Sequence, residues 1–198
     1  MAQIDYFFAT LSPYSYLGGE RLEEVAAKHG ATINYKPFDI IAGFSRTGGT
    51  LPMDRHPSRQ EYRAQELPRQ AKKLGMKLNL KPAHWPTNGA PAAYAFIAAQ
   101  NAGGGDLGKL AHVITRCVWA DEKDIAEDAV IRACLEEAGF DPALADSGLL
   151  VGAETYAANL EEAVEKGVFG APFYIVDDQR FWGQDRIEDV DLYLSGKL

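Results

Sequence analysis

A chain of 198 residues, 46% hydrophobic and 24% charged, has the length of one soluble domain or of one domain carrying a large insertion. No apolar run approaches the ~18 residues a membrane-crossing helix needs, so no membrane partner is expected. The formal net charge is −8 and the 20 basic residues are dispersed, which argues against the concentrated basic face that nucleic-acid binding requires.

The start, Met1-Ala2-Gln3-Ile4-Asp5, carries no basic segment and runs straight into a strand pattern, so no secretory signal is expected. Residues 3 to 9 are mostly apolar, as in a strand buried on both faces. Ser12-Pro13 then opens a helical pattern. Serine suits an N-cap because its oxygen accepts from an orphan N–H, and proline suits the first helical position because it has no N–H to leave unpaired. Tyr14, Leu17, Leu22, Val25 and Ala26 form a rough 3.6-residue stripe, which predicts one helix to His29 with Gly30 as its C′ residue. Residues 32 to 38 read as a second strand, stopped or confined to an edge by Pro37. This β-α-β unit implies parallel strands with a right-handed crossover.

From about Ile41 the character changes. Residues 43 to 50 read as loop, and a helix is expected from Pro57-Ser58, with Leu67, Ala71 and Leu74 on one face. Pro68 lies inside that pattern and is expected to kink or split it. A loop over 81 to 89 precedes an alanine-rich helix through Ala92, Ala93, Phe96 and Ile97. Two clean stripes follow, Leu107, Leu110, Ala111, Ile114, Val118 and then Ile131, Cys134, Leu135, Ala138. A short helix from Asp141-Pro142 leads to another marked by Tyr156, Leu160, Ala163 and Val164 and closed by Gly167. Cys117 and Cys134 lie on these stripes as small buried hydrophobes and form no C-x-x-C pair. The lack of a disulfide framework fits a cytoplasmic protein. His56 and His84 stand beside prolines in loops with no second ligand at metal spacing, so no metal site is expected. Residues 173 to 176, the turn Asp177-Asp178 and residues 180 to 182 read as an antiparallel hairpin, and a helix from Arg186 to Leu194 closes the chain. The layout is an α/β unit formed by residues 1–40 and 168–198 around a helical insertion at 41–167, whose last helix is free to pack with the α/β part.

Three segments carry a resemblance: Ser12-Pro13-Tyr14-Ser15-Tyr16-Leu17 after the first strand, Val168-Phe169-Gly170-Ala171-Pro172 before a late one, and Trp182-Gly183-Gln184-Asp185-Arg186 near the end. In this order the chain resembles the 2-hydroxychromene-2-carboxylate isomerase family, within the kappa-class glutathione transferase and DsbA-like branch of thioredoxin-fold proteins. The resemblance implies an α/β, thioredoxin-like fold with a large all-helical insertion. It also implies glutathione as cofactor, a small aromatic substrate from a degradation route, and isomerisation by reversible thiolate addition. A homodimer is compatible with it.

Where oxidoreductases of this fold carry C-x-x-C, this chain has Ser12-Pro13-Tyr14-Ser15. Disulfide exchange needs two thiols and is excluded at that turn. Ser12 is either a helix cap alone or also a donor to a bound thiolate. One hydrogen bond to a charged group is worth about 1.5–3 kcal/mol, or about one to two pKa units. The resemblance assigns Ser12 the second role and makes the Ala171-Pro172 bond cis, with the Ala171 backbone free to pair with the cysteinyl part of glutathione. Gln184 and Asp185 would recognise its γ-glutamyl end, Asp185 meeting the α-ammonium. Asp185 is equally suited to a helix N-terminus for structural reasons alone. Arg59 would meet the glycine carboxylate, although Thr47-Gly48-Gly49 stands where the family often has an asparagine. Tyr14, Trp85 and Asn88 fall on the substrate side. Two other readings remain: a kappa-like glutathione transferase, and a non-catalytic thioredoxin-fold module that captures peptides beside the cis-proline.

Overall fold

Alternation along the first strand decides the layering. In the computed structural model, which describes residues 1–198, β1 (Gln3–Phe8) pairs in parallel with β2 (Thr32–Pro37) and antiparallel with β3 (Phe173–Val176). β3 pairs antiparallel with β4 (Gln179–Trp182), giving the order β2-β1-β3-β4 with β2 at an edge, where Pro37 costs no ladder bond. Ile4, Tyr6 and Phe8 point to one face and Phe7 to the other. Tyr6 sits opposite both Tyr35 and Tyr174 in register and stacks on Tyr174 at 5.3 Å. That face packs on Leu17, Leu22, Phe96, Leu110, Ile114 and Val190. The opposite face, Phe7, Phe38, Phe173 and Ile175, packs on Ala163 and Leu160. Burial on both faces is why β1 reads as a nearly continuous apolar run.

The helices are α1 (Pro13–Gly18), α2 (Arg21–His29), α3 (Ile40–Arg46), α4 (Pro57–Leu74), α5 (Ala90–Ala102), α6 (Leu107–Trp119), α7 (Asp128–Glu137), α8 (Leu144–Ser147), α9 (Leu149–Glu165) and α10 (Ile187–Leu194). Those from α3 to α9 lie between β2 and β3 in sequence. α9 joins the sheet directly: Asn159 donates to the Pro37 carbonyl at 2.9 Å, and Lys36 on β2 pairs with Glu162. Buried Asp5 on β1 accepts from Lys166 at 2.6 Å and from Asn34 at 3.0 Å, which extends this polar tie across the edge of the sheet. None of the helices is long and apolar enough to cross a membrane.

Three expectations need correction. The single helix predicted to His29 is two helices, because Gly19 (φ 60°, ψ −140°) ends α1. The Arg21 guanidinium then donates to the Leu17 and Gly18 carbonyls that the break leaves unpaired. The loop expected over 43 to 50 contains most of α3, which Asp39 caps by accepting from the Ile41 and Ala42 N–H groups at 3.0 Å each. α4 runs unbroken through Pro68. Ala64, whose carbonyl the proline leaves without a donor, is exposed, so water can satisfy it.

Candidate active site

A cleft of about 870 Å³ opens between the Ser12 turn, the loop before β3, the α3–α4 segment and Trp85-Pro86. Ser12 is the N-cap of α1: its Oγ accepts from the Ser15 N–H at 3.1 Å and donates to the Ala171 carbonyl at 3.1 Å. The Ala171-Pro172 bond is cis, and so is Trp85-Pro86. The N–H groups of Ala171 and Tyr14 make no hydrogen bond within the chain. The cleft is thus lined by a hydroxyl and by two residues whose N–H groups have no partner in the chain. Gly170 admits the Trp182 indole, since a Cβ there would lie 2.2 Å from its Nε1. Trp182 meets the Phe169 ring edge-on at 4.9 Å and stays half-exposed.

Gln184 is buried and its side chain is already engaged. Its amide oxygen accepts from Arg21 at 2.6 Å, and its amide nitrogen donates to Gln70 at 3.3 Å. It ties the short turn before α10 to α2 and α4, leaving its backbone N–H and that of Asp185 without partners. Asp185 is exposed and pairs with Arg186 at 2.9 Å.

The α4 side of the cleft is basic. Arg55, Arg59 and Arg63 all line it, and none forms an ion pair, whereas Glu66 on the same wall is held by Arg69 and Gln70. The Arg63 guanidinium lies 6.0 Å from the Trp85 ring centroid and that of Arg55 lies 5.7 Å from the Phe44 ring. Burial lowers the Arg55 pKa, helped by the charge of Arg59. Burial also lowers that of Arg63, with Tyr14 opposing and Arg55 assisting. Both remain cations at neutral pH. The Tyr14 phenol is raised by its own burial, against the pull of Arg63.

Of the residues singled out in the sequence, Ser12, Tyr14, Arg59, Trp85, Ala171, Gln184 and Asp185 line this cleft. Pro172 is buried just behind it. Asn88 lies outside: its Oδ1 accepts from the Ala90 N–H at 3.1 Å, and it borders a separate cavity of about 200 Å³. Sequence reasoning missed Arg55, Arg63, Gln70 and Trp182. The four-residue spacing of Arg55, Arg59 and Arg63 was a usable signal for the first two. Away from the cleft, the Cys117 and Cys134 sulfurs approach to 3.6 Å as buried free thiols. No three potential ligands cluster as a metal site would require.

The family model described as the DSBA-like thioredoxin domain matches residues 3–195, so the chain belongs to that family. Its likeness narrows further. The 2-hydroxychromene-2-carboxylate isomerase of Sphingobium xenophagum is 31% identical over 195 residues, covering 96% of this chain and 97% of the relative. Glutathione S-transferase kappa 1 of Homo sapiens is 29% identical over 204 residues, covering 93% and 87%. A solved 2-hydroxychromene-2-carboxylate isomerase shares the fold with a TM-score of 0.78 at 24% identity, covering 98% of this chain and 95% of the other. Within the DsbA-like proteins, this chain is a member of the 2-hydroxychromene-2-carboxylate isomerase family. Its architecture is the thioredoxin-like fold with inserted helices.

Proposed function

We propose that the protein is a glutathione-dependent isomerase of the 2-hydroxychromene-2-carboxylate type, acting in the cytoplasm on an intermediate of aromatic degradation. The observation that carries this reading is the Ser12 hydroxyl, set at a helix start against the cis Ala171-Pro172 bond where a disulfide enzyme would hold a thiol. Glutathione fits the groups present: a cleft of about 870 Å³, two open N–H groups beside Ser12, an unpaired arginine and an exposed carboxylate.

When bound, glutathione would supply a thiol nucleophile for reversible addition to a conjugated alkene, the chemistry by which such a bond can isomerise without net consumption of thiol. The protein's part is activation and placement. Ser12 keeps accepting from the Ser15 N–H while its O–H turns from the Ala171 carbonyl toward the sulfur. The Tyr14 N–H adds a second donor there. The released Ala171 carbonyl and the free Ala171 N–H then pair with the cysteinyl backbone as an added strand. Arg59 holds the glycine carboxylate, Asp185 the α-ammonium, and the Gln184 and Asp185 N–H groups the α-carboxylate. Holding the reactants at contact distance lowers the barrier by removing the entropy of encounter.

The likeness to glutathione S-transferase kappa 1 supports a second reading, in which the same contacts hold glutathione but a conjugate is released. One assay separates them. Purified protein and glutathione are mixed with the chromene carboxylate or its ring-opened pyruvate, and absorbance and free thiol are followed together. Interconversion at constant thiol is expected. Stoichiometric loss of thiol would mean a transferase, and no change in either would overturn both.

A further inference from the structure

The basic wall of the cleft exceeds what glutathione uses. In the proposed placement Arg59 meets one carboxylate and the turn before α10 the other, which leaves Arg55 and Arg63 unassigned. The chain is otherwise acidic, with a net charge of −8, and its other cleft arginine, Arg186, is paired with Asp185 and Asp189. Arg63 is half-buried, yet it has no carboxylate partner and gives no hydrogen bond to the chain. The Trp85 ring backs its guanidinium at 6.0 Å, an arrangement that holds the planar group while its N–H donors remain open to a ligand. Arg55 gives only Nε, to the Thr50 carbonyl at 3.0 Å. Cations gathered in a concave, partly desolvated wall repel one another, and an anion relieves that cost.

We propose that Arg63, backed by Arg55, is the specificity-determining residue that grips the carboxylate of the second, electrophilic substrate by a bidentate pair. This rests on the glutathione reading, which assigns Ser12, Arg59 and Asp185 elsewhere. The aromatic walls Tyr14 and Phe44 beside these arginines suit a flat conjugated body on the same ligand. A neutral electrophile of identical shape would leave Arg63 unpaired and bind more weakly.

The probes are trans-cinnamate and its neutral amide, their binding measured by calorimetry with and without saturating glutathione. Wild-type protein is expected to prefer the carboxylate by about tenfold or more, the worth of a charge-assisted pair. Arg63→Gln should abolish that preference and leave glutathione affinity unchanged, while Arg63→Lys, a point charge without the fork, retains part of it. Matching melting temperatures establish that both variants fold. An undiminished preference in Arg63→Gln, no preference in wild type, or no binding of either probe would overturn the assignment. A parallel loss of glutathione affinity would also overturn it, by placing Arg63 in the glutathione site. Carboxylate preference without any glutathione binding would support Arg63 and refute the proposed cofactor.

Discussion

The Ser12 hydroxyl donates to the Ala171 carbonyl across 3.1 Å, joining the start of α1 to the peptide that precedes β3 although 159 residues separate them. The same oxygen accepts the Ser15 N–H, so Ser12 caps its helix and marks the cleft at once. Capping and the proposed activation therefore need not compete, since they would use different sides of one oxygen.

Ser12→Ala should consequently show two separable effects. Loss of the cap and of the Ala171 bond costs about 0.5–2 kcal/mol of stability, measurable as a shift in denaturant midpoint. If the hydroxyl also serves the thiolate, turnover at neutral pH falls by about tenfold to a hundredfold and partly recovers in alkali. A variant as active as wild type but less stable would leave Ser12 as a cap alone.

Asp5 gives a pH prediction. Burial works to raise its carboxyl pKa, but hydrogen bonds from Lys166, Gln3 and Asn34 and the charge of Lys36 outweigh this and hold it below the ordinary value. A carboxyl lowered in the folded state contributes stability above its unfolded pKa of ~3.9 and loses that contribution as pH falls through the folded value. Asp5→Asn should cost about 1–3 kcal/mol at pH ~7, and the gap to wild type should narrow in acid below pH ~4. Urea melts across that range measure it, and a gap that is constant with pH would contradict the account.

Much of this was legible in the sequence, and what was not has identifiable causes. The hairpin of β3 and β4 followed from two short strand runs around Asp177-Asp178, and Ser12-Pro13 announced its cap through residue type alone. The α1–α2 break was hidden because the apolar stripe continues across it, and Gly19 acts through a backbone conformation that spacing does not show. α3 was obscured by Gly43, Gly48 and Gly49, although Asp39 ahead of Ile40 and Ile41 was a valid start signal. Arg63 was legible only as one of three evenly spaced arginines, because its sharing a cleft with Ser12 is a tertiary fact. Asn88 shows the reverse, a motif position whose side chain the chain itself uses to hold the start of α5.

The cysteines should be chemically quiet. Cys117 and Cys134 are both buried on the α6–α7 contact; their mutual hydrogen bond lowers Cys117 against its burial and raises Cys134, and burial keeps both sulfurs from reagents, so neither offers an accessible thiolate. A chromogenic thiol reagent should titrate them only as the protein unfolds, and the protein should not reduce insulin. Prompt reaction in the folded state, or insulin turnover, would contradict this.

Gly170→Ala tests the shape of the cleft. The new Cβ would lie 2.2 Å from the Trp182 indole nitrogen and force the ring away from Phe169. The fold should tolerate this, since Trp182 is half-exposed, while tryptophan fluorescence changes and glutathione affinity falls severalfold. Unaltered affinity would remove Trp182 from the binding wall.

Whether Ser12 lowers the pKa of a thiol bound in the cleft is measured most directly by the ultraviolet absorbance of the glutathione thiolate in complex with the protein, titrated against pH. An apparent thiol pKa about one to two units lower in wild type than in Ser12→Ala is expected, with both proteins still binding glutathione. Superimposable titration curves from the two complexes would contradict it.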